Sequence, residues 1–332
     1  MTVDIPDTRK QILEILADGK FHSGTELANR LGISRSAIWK QLRTLSELGL
    51  EYLAVTGKGY RLTQSIELLD KSKIYSALTP EVMQQVSSLK LFDQINSTNS
   101  FLMSEVGQSF DSGSICIAEH QTAGKGRRGR EWVSPFGSNI YLSIRWHFTS
   151  GPSAISALSL AMGVAVVRAL KQFNIEGIGL KWPNDIYWQG KKLGGILVEV
   201  TGEADGPCTA VVGLGLNISL SENVANNISQ DWVDLKQIMR GAALSRNHLA
   251  AILINEFINI IAAYESVEFD TYLNEWRSYD CLRGEMATLY FGKQQFQGEV
   301  RGIDDQGMLL LKHATGEVKA YASGEVSFSA GI

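Results

Sequence analysis

Ser114-Ile-Cys-Ile-Ala-Glu-His-Gln-Thr-Ala-Gly-Lys-Gly-Arg-Arg-Gly-Arg-Glu-Trp-Val-Ser-Pro-Phe-Gly137 is the stretch on which the fold class turns. A strand over 114–118 runs toward Gly124-Lys-Gly-Arg-Arg-Gly129, a literal GxGxxG, so a dinucleotide-binding turn is the first reading to test. It fails twice. The residues after the glycines, 132–137, hold a proline and no helix start, and no acid occurs from Trp132 through Ile175 to bind a ribose. What remains is a loop with four cations, Lys125, Arg127, Arg128 and Arg130, among three glycines. Glycines let backbone amides approach an anion, and guanidiniums offer it bidentate contacts. Taken alone, the loop fits a solvated basic turn or an RNA contact equally well.

Downstream, Lys181-Trp-Pro-Asn-Asp185 reads as a tight turn presenting polar groups at a fixed angle. Lys191-Lys-Leu-Gly-Gly195 leads into a strand over 196–200, and a strand over 210–214 runs into Gly215-Leu-Asn217. Each motif is expected at a strand end, so that one sheet displays a composite anion site. Two apolar stripes at helical spacing read as core: Ile155, Leu158, Met162, Val166 and Leu170, then Leu249, Ile252, Leu253, Phe257, Ile260, Ile261 and Tyr264. From Met286 onward, short strands over 286–291, 296–303, 308–312 and 317–321 alternate with turns at the spacing of a small barrel.

Upstream, residues 8–17 put Ile12, Ile15 and Leu16 on one helix face. Ser23-Gly-Thr-Glu26 is a capping box opening a helix that stops at Gly32, and Ser34 caps a third with Ile38, Leu42 and Leu45. This is helix-turn-helix spacing. Arg35, Ser36, Trp39, Lys40 and Arg43 lie off the third helix's apolar stripe, as insertion into a major groove requires. Thr56-Gly-Lys-Gly59 is a hairpin tip resembling the wing of a winged-helix domain. Lys58, Arg61 and Arg43 suit phosphate contacts, and Arg35, Ser36 and Lys40 suit base edges. The alternative is a three-helix module with a solvated basic face. A linker is expected over 63–73, with a short helix over 68–78.

The 332 residues carry 31 basic and 35 acidic side chains, a net charge of −4, which excludes a globally basic nucleic-acid coat. From Lys20 to Arg61, however, seven basic residues face three acids, a local +4. Three scattered cysteines, Cys116, Cys208 and Cys281, suggest neither a disulfide framework nor a zinc site. No apolar run reaches the ~18 residues of a membrane span. The N-terminus has acids where a signal peptide needs basic residues, so a cytoplasmic protein without membrane contact is expected.

Together these pieces resemble the bifunctional biotin–protein ligase and biotin-operon repressor family. The matching motifs are Ser97-Thr-Asn99, Gln121 with Gly124-Lys-Gly-Arg-Arg-Gly129, Trp132 with Ser134-Pro-Phe-Gly137, Lys181-Trp-Pro-Asn-Asp185, Lys192-Leu-Gly-Gly195 and Gly213-Leu-Gly-Leu-Asn217, in the family's order. The resemblance implies an α+β chain: a winged helix-turn-helix over 1–65, a mixed-sheet ligase domain related to class II aminoacyl-tRNA synthetases over 66–275, and an SH3-like β-barrel over 276–332. It implies synthesis of biotinyl-5′-adenylate from biotin and MgATP, then transfer of biotin to a lysine of the biotin carboxyl carrier protein of acetyl-CoA carboxylase. It further implies a homodimer, favoured by the adenylate, that binds the biotin operator and represses biotin biosynthesis genes. No tightly bound prosthetic group and no protein metal site are implied.

By the same resemblance, Arg127, Lys181 and Lys192 would be catalytic, neutralising two acids that repel each other. Ser97, Thr98, Asn99, Gln121, Lys125, Gly126, Arg127 and Lys192 would surround biotin, and Arg128, Arg130, Trp132, Asn184 and Asn217 would meet ATP. DNA would be met by Arg35, Ser36, Trp39, Lys40, Arg43 and Lys58. The glycine-rich loop would be a lid, disordered when empty, that shields the labile adenylate. Simpler roles stay open for some: Ser97 and Thr98 as a helix cap, Asp185 as a brace. Two positions depart from the family: Lys125 where arginine is common, leaving it a backbone role, and Ser329 where relatives often carry a cation. A pure repressor that only senses its ligand, and a lipoate or other acyl ligase, are the rival readings.

Overall fold

The computed structural model describes residues 6–104, 111–221, 228–266 and 270–328. Helices α1 (Asp7–Leu16), α2 (Gly24–Leu31) and α3 (Arg35–Arg43) form where caps and apolar spacing demand them. Ser23 Oγ accepts the Glu26 amide and Ser34 Oγ the Ala37 amide, caps contributing about 1 kcal/mol each. Gly32, at φ 66°, makes the left-handed turn between α2 and α3. Ile12, Leu16, Leu27, Ile38, Leu42 and Leu45 close a small core. The wing follows as β1 (Tyr52–Val55) paired antiparallel with β2 (Gly59–Leu62). His22 and Tyr60 exchange both backbone hydrogen bonds, pinning the wing's root beside the start of α2.

The expected linker is held along its length rather than free. The Glu67 carboxylate accepts from Ser245, Asn247 and the Arg246 amide, while the Leu69 amide donates to Glu119. Buried Arg246 pairs with buried Glu119, tying this segment to the central sheet. The head's core also takes in Phe136, Ile66 and Leu68 from beyond the head, and Lys10 pairs with Asp93 at 2.9 Å. Because 66–69 are engaged this way, the expected helix over 68–78 shrinks to α4 (Lys71–Ser76), capped by Asp70. A second short helix, α5 (Pro80–Gln85), follows.

The central sheet is mixed and has seven strands, in the order β3-β4-β5-β9-β8-β7-β6. They are β3 (Ser88–Ile95), β4 (Ser114–Gln121), β5 (Asn139–Phe148), β6 (Ile178–Lys181), β7 (Asp185–Trp188), β8 (Lys191–Gly202) and β9 (Cys208–Asn217). Only β3 and β4 run parallel; every other neighbouring pair is antiparallel. Alternation along β4 assigns the two faces. Ile115 and Ile117 join the large core with α7 (Leu158–Lys171) and, after a short α8 (Leu235–Ile238), α9 (Arg246–Ala263). Cys116 and Ala118 join a smaller core under α6 (Thr98–Ser104). Both apolar stripes are buried as expected. The segment Pro152–Lys171 is apolar and long enough to cross a membrane, yet 72% of that window is buried inside the domain, as in a core helix.

After α10 (Asp270–Tyr279) comes a five-stranded antiparallel sheet, order β13-β12-β11-β10-β14. Four strands match the expected ones: β10 (Met286–Phe291), β11 (Gln294–Ile303), β12 (Leu309–Lys312) and β13 (Val318–Tyr321). The fifth, β14 (Glu325–Phe328), lies outside the expected set; its alternation spans only four residues, and it forms by pairing with the distant β10. Ser329 lies outside the described residues.

The glycine motifs do not lie where the sequence places them. Gly194 and Gly195 lie inside β8, and Gly213 and Gly215 inside β9, rather than at strand ends. They mark places where something lies against the sheet.

Candidate functional site

On the α6 side of the sheet a cleft of about 1040 Å³, counting its open mouth, is lined by six cations, Lys125, Arg127, Arg128, Arg130, Lys181 and Lys192. Three carboxylates, Glu131, Asp185 and Glu325, also line it, with Leu197 on the cleft face; the side chains of neighbouring Ile196 and Leu214 turn into the large core on the other face. The floor exists because β9 lacks side chains at two positions. A Cβ on Gly213 would overlap the Asn99 amide, and one on Gly215 would overlap the Trp132 indole. Both side chains therefore lie flat against the strand. The Trp132 Nε1 donor is buried without a partner among the described residues, an unmet hydrogen bond that an incoming acceptor would relieve.

The loop expected as a lid folds as a tight hairpin over this floor. Gly126 N donates to Arg130 O at 2.7 Å and Trp132 N to Gly124 O at 2.8 Å. Arg127 Nη1 donates to Asn184 Oδ1 at 3.1 Å, and burial holds its pKa below the usual guanidinium value. Arg128 donates to the Tyr290 carbonyl and Arg130 pairs with Glu325, so the C-terminal sheet grips the hairpin's outer side. Lys125, given only a backbone role from sequence, has its ammonium 3.6 Å from Glu199. Glu199 in turn accepts from Asn99 Nδ2 at 2.9 Å.

Below the hairpin, Lys192 pairs with Asp185 at 2.8 Å and lies 5.6 Å from the Trp132 ring centroid. Asp185 is thus a brace for this lysine. Lys181, at the end of β6, is only 8% exposed. Burial lowers its pKa from the usual lysine value, partly offset by Asp185. Asn184 is engaged at both ends, accepting from Arg127 and donating to the Ile196 carbonyl at 2.6 Å. Asn217 does not reach the cleft: its amide donates to the Val233 carbonyl and fastens the end of β9.

Ser97, Thr98 and Asn99 come together at the start of α6 with Gln121. Ser97 Oγ accepts the Ser100 amide, so the capping role is real. Gln121 Oε1 accepts from Thr98 N and Oγ1, and its Nε2 donates to Ser134 Oγ. The Ser143 hydroxyl donates toward Thr98 and Asn99 at 2.7 and 2.6 Å. The result is a rigid polar shelf beneath the hairpin. Among the described residues no group of three or more His, Cys, Asp or Glu could hold a metal.

In the head, Arg35, Ser36, Trp39, Lys40, Arg43 and Lys58 are all exposed. The first five share the outer face of α3, and Lys58 sits at the wing tip. Arg43 stacks over Trp39 at 4.8 Å, while Lys58 and Arg61 reach over Phe21 at 5.9 and 5.0 Å.

Sequence reasoning missed Glu199 and Ser143, which brace the shelf, and Glu325 and Phe328, which approach from β14. The first two look like ordinary strand residues. The last two gave a faint signal, Gly324-Glu-Val-Ser-Phe328, without revealing what the segment pairs with.

Three segments of the chain match known protein families. Residues 91–217 match the biotin/lipoate A/B protein ligase family, residues 8–61 an HTH domain, and residues 287–329 the biotin protein ligase C terminal domain. The chain is 39% identical to the bifunctional ligase/repressor BirA of Salmonella typhimurium over 95% of this chain and 96% of that one. It is 31% identical to the protein of the same description from Bacillus subtilis, over 95% and 97%. The fold is similar to that of a biotin protein ligase from Aquifex aeolicus solved with biotin and ATP. There the TM-score is 0.62 at 24% identity, covering 74% of this chain and 100% of the other.

Proposed function

The chain belongs to the bifunctional ligase/repressor branch of the biotin protein ligase family, and from that premise we propose how its cleft makes and guards an acyl adenylate. It is a biotin–protein ligase with a helix-turn-helix repressor head. A biotin carboxylate oxygen attacks the ATP α-phosphorus and pyrophosphate leaves; the amine of a carrier-protein lysine then attacks the acyl carbon and AMP leaves. Both reactants of the first step are anions, so they approach only where fixed cations cancel their repulsion. The observation that carries this reading is the gathering of six cations, from three separate sequence motifs, around one indole-floored cleft.

In this reading Arg127 and Lys192 take the carboxylate and α-phosphate oxygens, and Lys181 assists with charge. Asn184 aims the Arg127 guanidinium and Asp185 aims Lys192. Biotin's ring sits on the Ser97–Asn99 shelf under the backbone of Lys125 and Gly126. Gln121 braces that shelf, since its amide is already committed to Thr98 and Ser134. Trp132 lies beneath the adenylate, whose acceptors would meet its unpaired Nε1. Arg128 and Arg130 face the pyrophosphate. Mg²⁺ enters with ATP as part of the substrate, held mainly by phosphate oxygens and water. The hairpin opens to admit substrates and closes to exclude water from the mixed anhydride.

The finer fold labels belong to the same reading: a class II synthetase-like central domain and an SH3-like C-terminal barrel. So do the domain limits 1–65, 66–275 and 276–332, although the contacts of 66–69 blur the first. The adenylate-loaded protein forms a homodimer that presents two heads to a two-fold biotin operator, because a ligand that orders interface loops favours the associated state. The carrier protein consumes the same adenylate, so growth demand and repression compete for it. This reading puts the protein in the cytoplasm.

Incubation with ATP, biotin and a carrier domain, followed by weighing the carrier, tests the enzyme. An increase by one biotinyl group is expected; an unchanged mass in the presence of biotin-dependent pyrophosphate exchange would leave adenylation but remove transfer. Exchange with lipoate in place of biotin would point to the other acid of the matched family.

A further inference from the structure

Lys181 is an unusual cation for this cleft. Lys192 has Asp185, Arg127 has Asn184 and Arg130 has Glu325. Lys181 is more deeply buried than any of these, yet among the described residues it forms no ion pair; its polar partner is the Tyr187 hydroxyl at 3.2 Å. Two aromatic faces stand in for the missing carboxylate. The Lys181 ammonium lies 4.9 Å from the centroid of Tyr187, on β7, and 5.3 Å from that of Phe328, on β14. The two rings meet edge to face at 6.1 Å. Phe328 thus arrives from the C-terminal sheet, on the strand whose Glu325 grips the hairpin.

We propose that Phe328 is a positioning residue for adenylate formation: with Tyr187 it seats the Lys181 ammonium between two rings, outside ion-pair distance of its cross-strand neighbour Asp185, where it is free to meet a triphosphate oxygen. The inference rests on the reading of the cleft as the place where ATP is attacked. A carboxylate partner would hold the lysine charged but would have to be displaced by the incoming phosphate. An aromatic face stabilises the same charge through its quadrupole and offers no competing anion. The groups facing Lys181 support this division of labour. Asp185 favours its charge, Lys192 and Arg130 oppose it, Cys281 approaches from the segment after α10, and burial opposes it most. In that company the ring faces, with the Tyr187 hydroxyl, stabilise the ammonium without an ion pair.

The test uses the full chain with Phe328→Leu, which keeps an apolar group but removes the π face, and Phe328→Tyr, which restores one. Charged Lys181 is required, so exchange falls as pH rises through its pKa; loss of the ring lowers that pKa further. The basic limb of biotin-dependent pyrophosphate exchange is expected to move down by about half to one pH unit in the leucine variant, with KM for ATP raised, and to return in the tyrosine variant. Carbon-13 NMR of ε-labelled lysines, with Lys181 assigned by Lys181→Arg, should show the same downward shift without turnover. Identical limbs and identical lysine titrations in wild type and Phe328→Leu would overturn the proposal. Absence of exchange in the wild type would instead overturn the reading of the cleft, and the lysine titration alone would then decide the role of Phe328.

Discussion

The head and the cleft both collect positive charge, and they hold it in opposite ways. On α3 and the wing, Arg35, Lys40, Arg43 and Lys58 stand in solvent, steadied at most by stacking on Trp39 or Phe21. In the cleft, Lys192, Arg127, Arg130 and Lys181 are each fixed by a partner that another element supplies. Solvated cations suit a polyanion whose phosphates recur along a surface and whose counterions are released on contact. Fixed cations suit one small anion, because their reorganisation is completed before the reaction begins. Moving a head cation therefore costs one contact among many, and moving a cleft cation costs the reaction.

Lys192→Ala should have the largest effect. Loss of a preorganised cation should lower the biotin-dependent exchange rate by roughly 10²–10³-fold, and near-normal exchange would take Lys192 out of the site. Gly215→Ala adds a single methyl group where the Trp132 indole lies. Displacing that ring by about 1 Å should slow adenylation on the order of 10²-fold, whereas an unchanged rate would mean that the floor is softer than described.

The floor also shows how far the sequence could be read. The head was legible because its signals are local: serine caps, a left-handed glycine and three-and-four spacing all act within one turn of helix. The motifs of the cleft were legible as motifs, but their placement was not. Gly213 and Gly215 look like turn formers to any local rule, and only the side chains of Asn99 and Trp132, distant in the chain, explain why two glycines interrupt a buried strand. β14 offered only a four-residue alternation for the same reason, since its partner β10 lies more than thirty residues earlier. Asn217 was drawn into the site by its motif, although its amide serves Val233.

The head should respond in smaller and more graded steps. Arg43→Ala and Lys58→Ala should each lower the slope of log affinity against log salt for duplex DNA by about one. A slope unmoved by either change would place the DNA on another face. Smallest of all is a pH effect at the wing's root. His22 lies 2.9 Å from Glu26 and 3.1 Å from Asp18; burial opposes its charge, but those hydrogen bonds outweigh it and raise its pKa above 6.5. The stability it contributes is therefore complete below about 6.5 and lost as pH rises through the higher folded value. The gap in melting temperature between wild type and His22→Gln should close across that range, and a gap independent of pH would refute the assignment.

Phe136 sits two residues from Ser134, which anchors the shelf, yet it is buried in the head's own core with Ile12, Leu13 and Leu16. Excising the first 65 residues to obtain a smaller biotinylation reagent would strip this ring of its cover. The fragment would show a sticky apolar scar beside its working groove, and a soluble version would need a polar residue grafted at position 136.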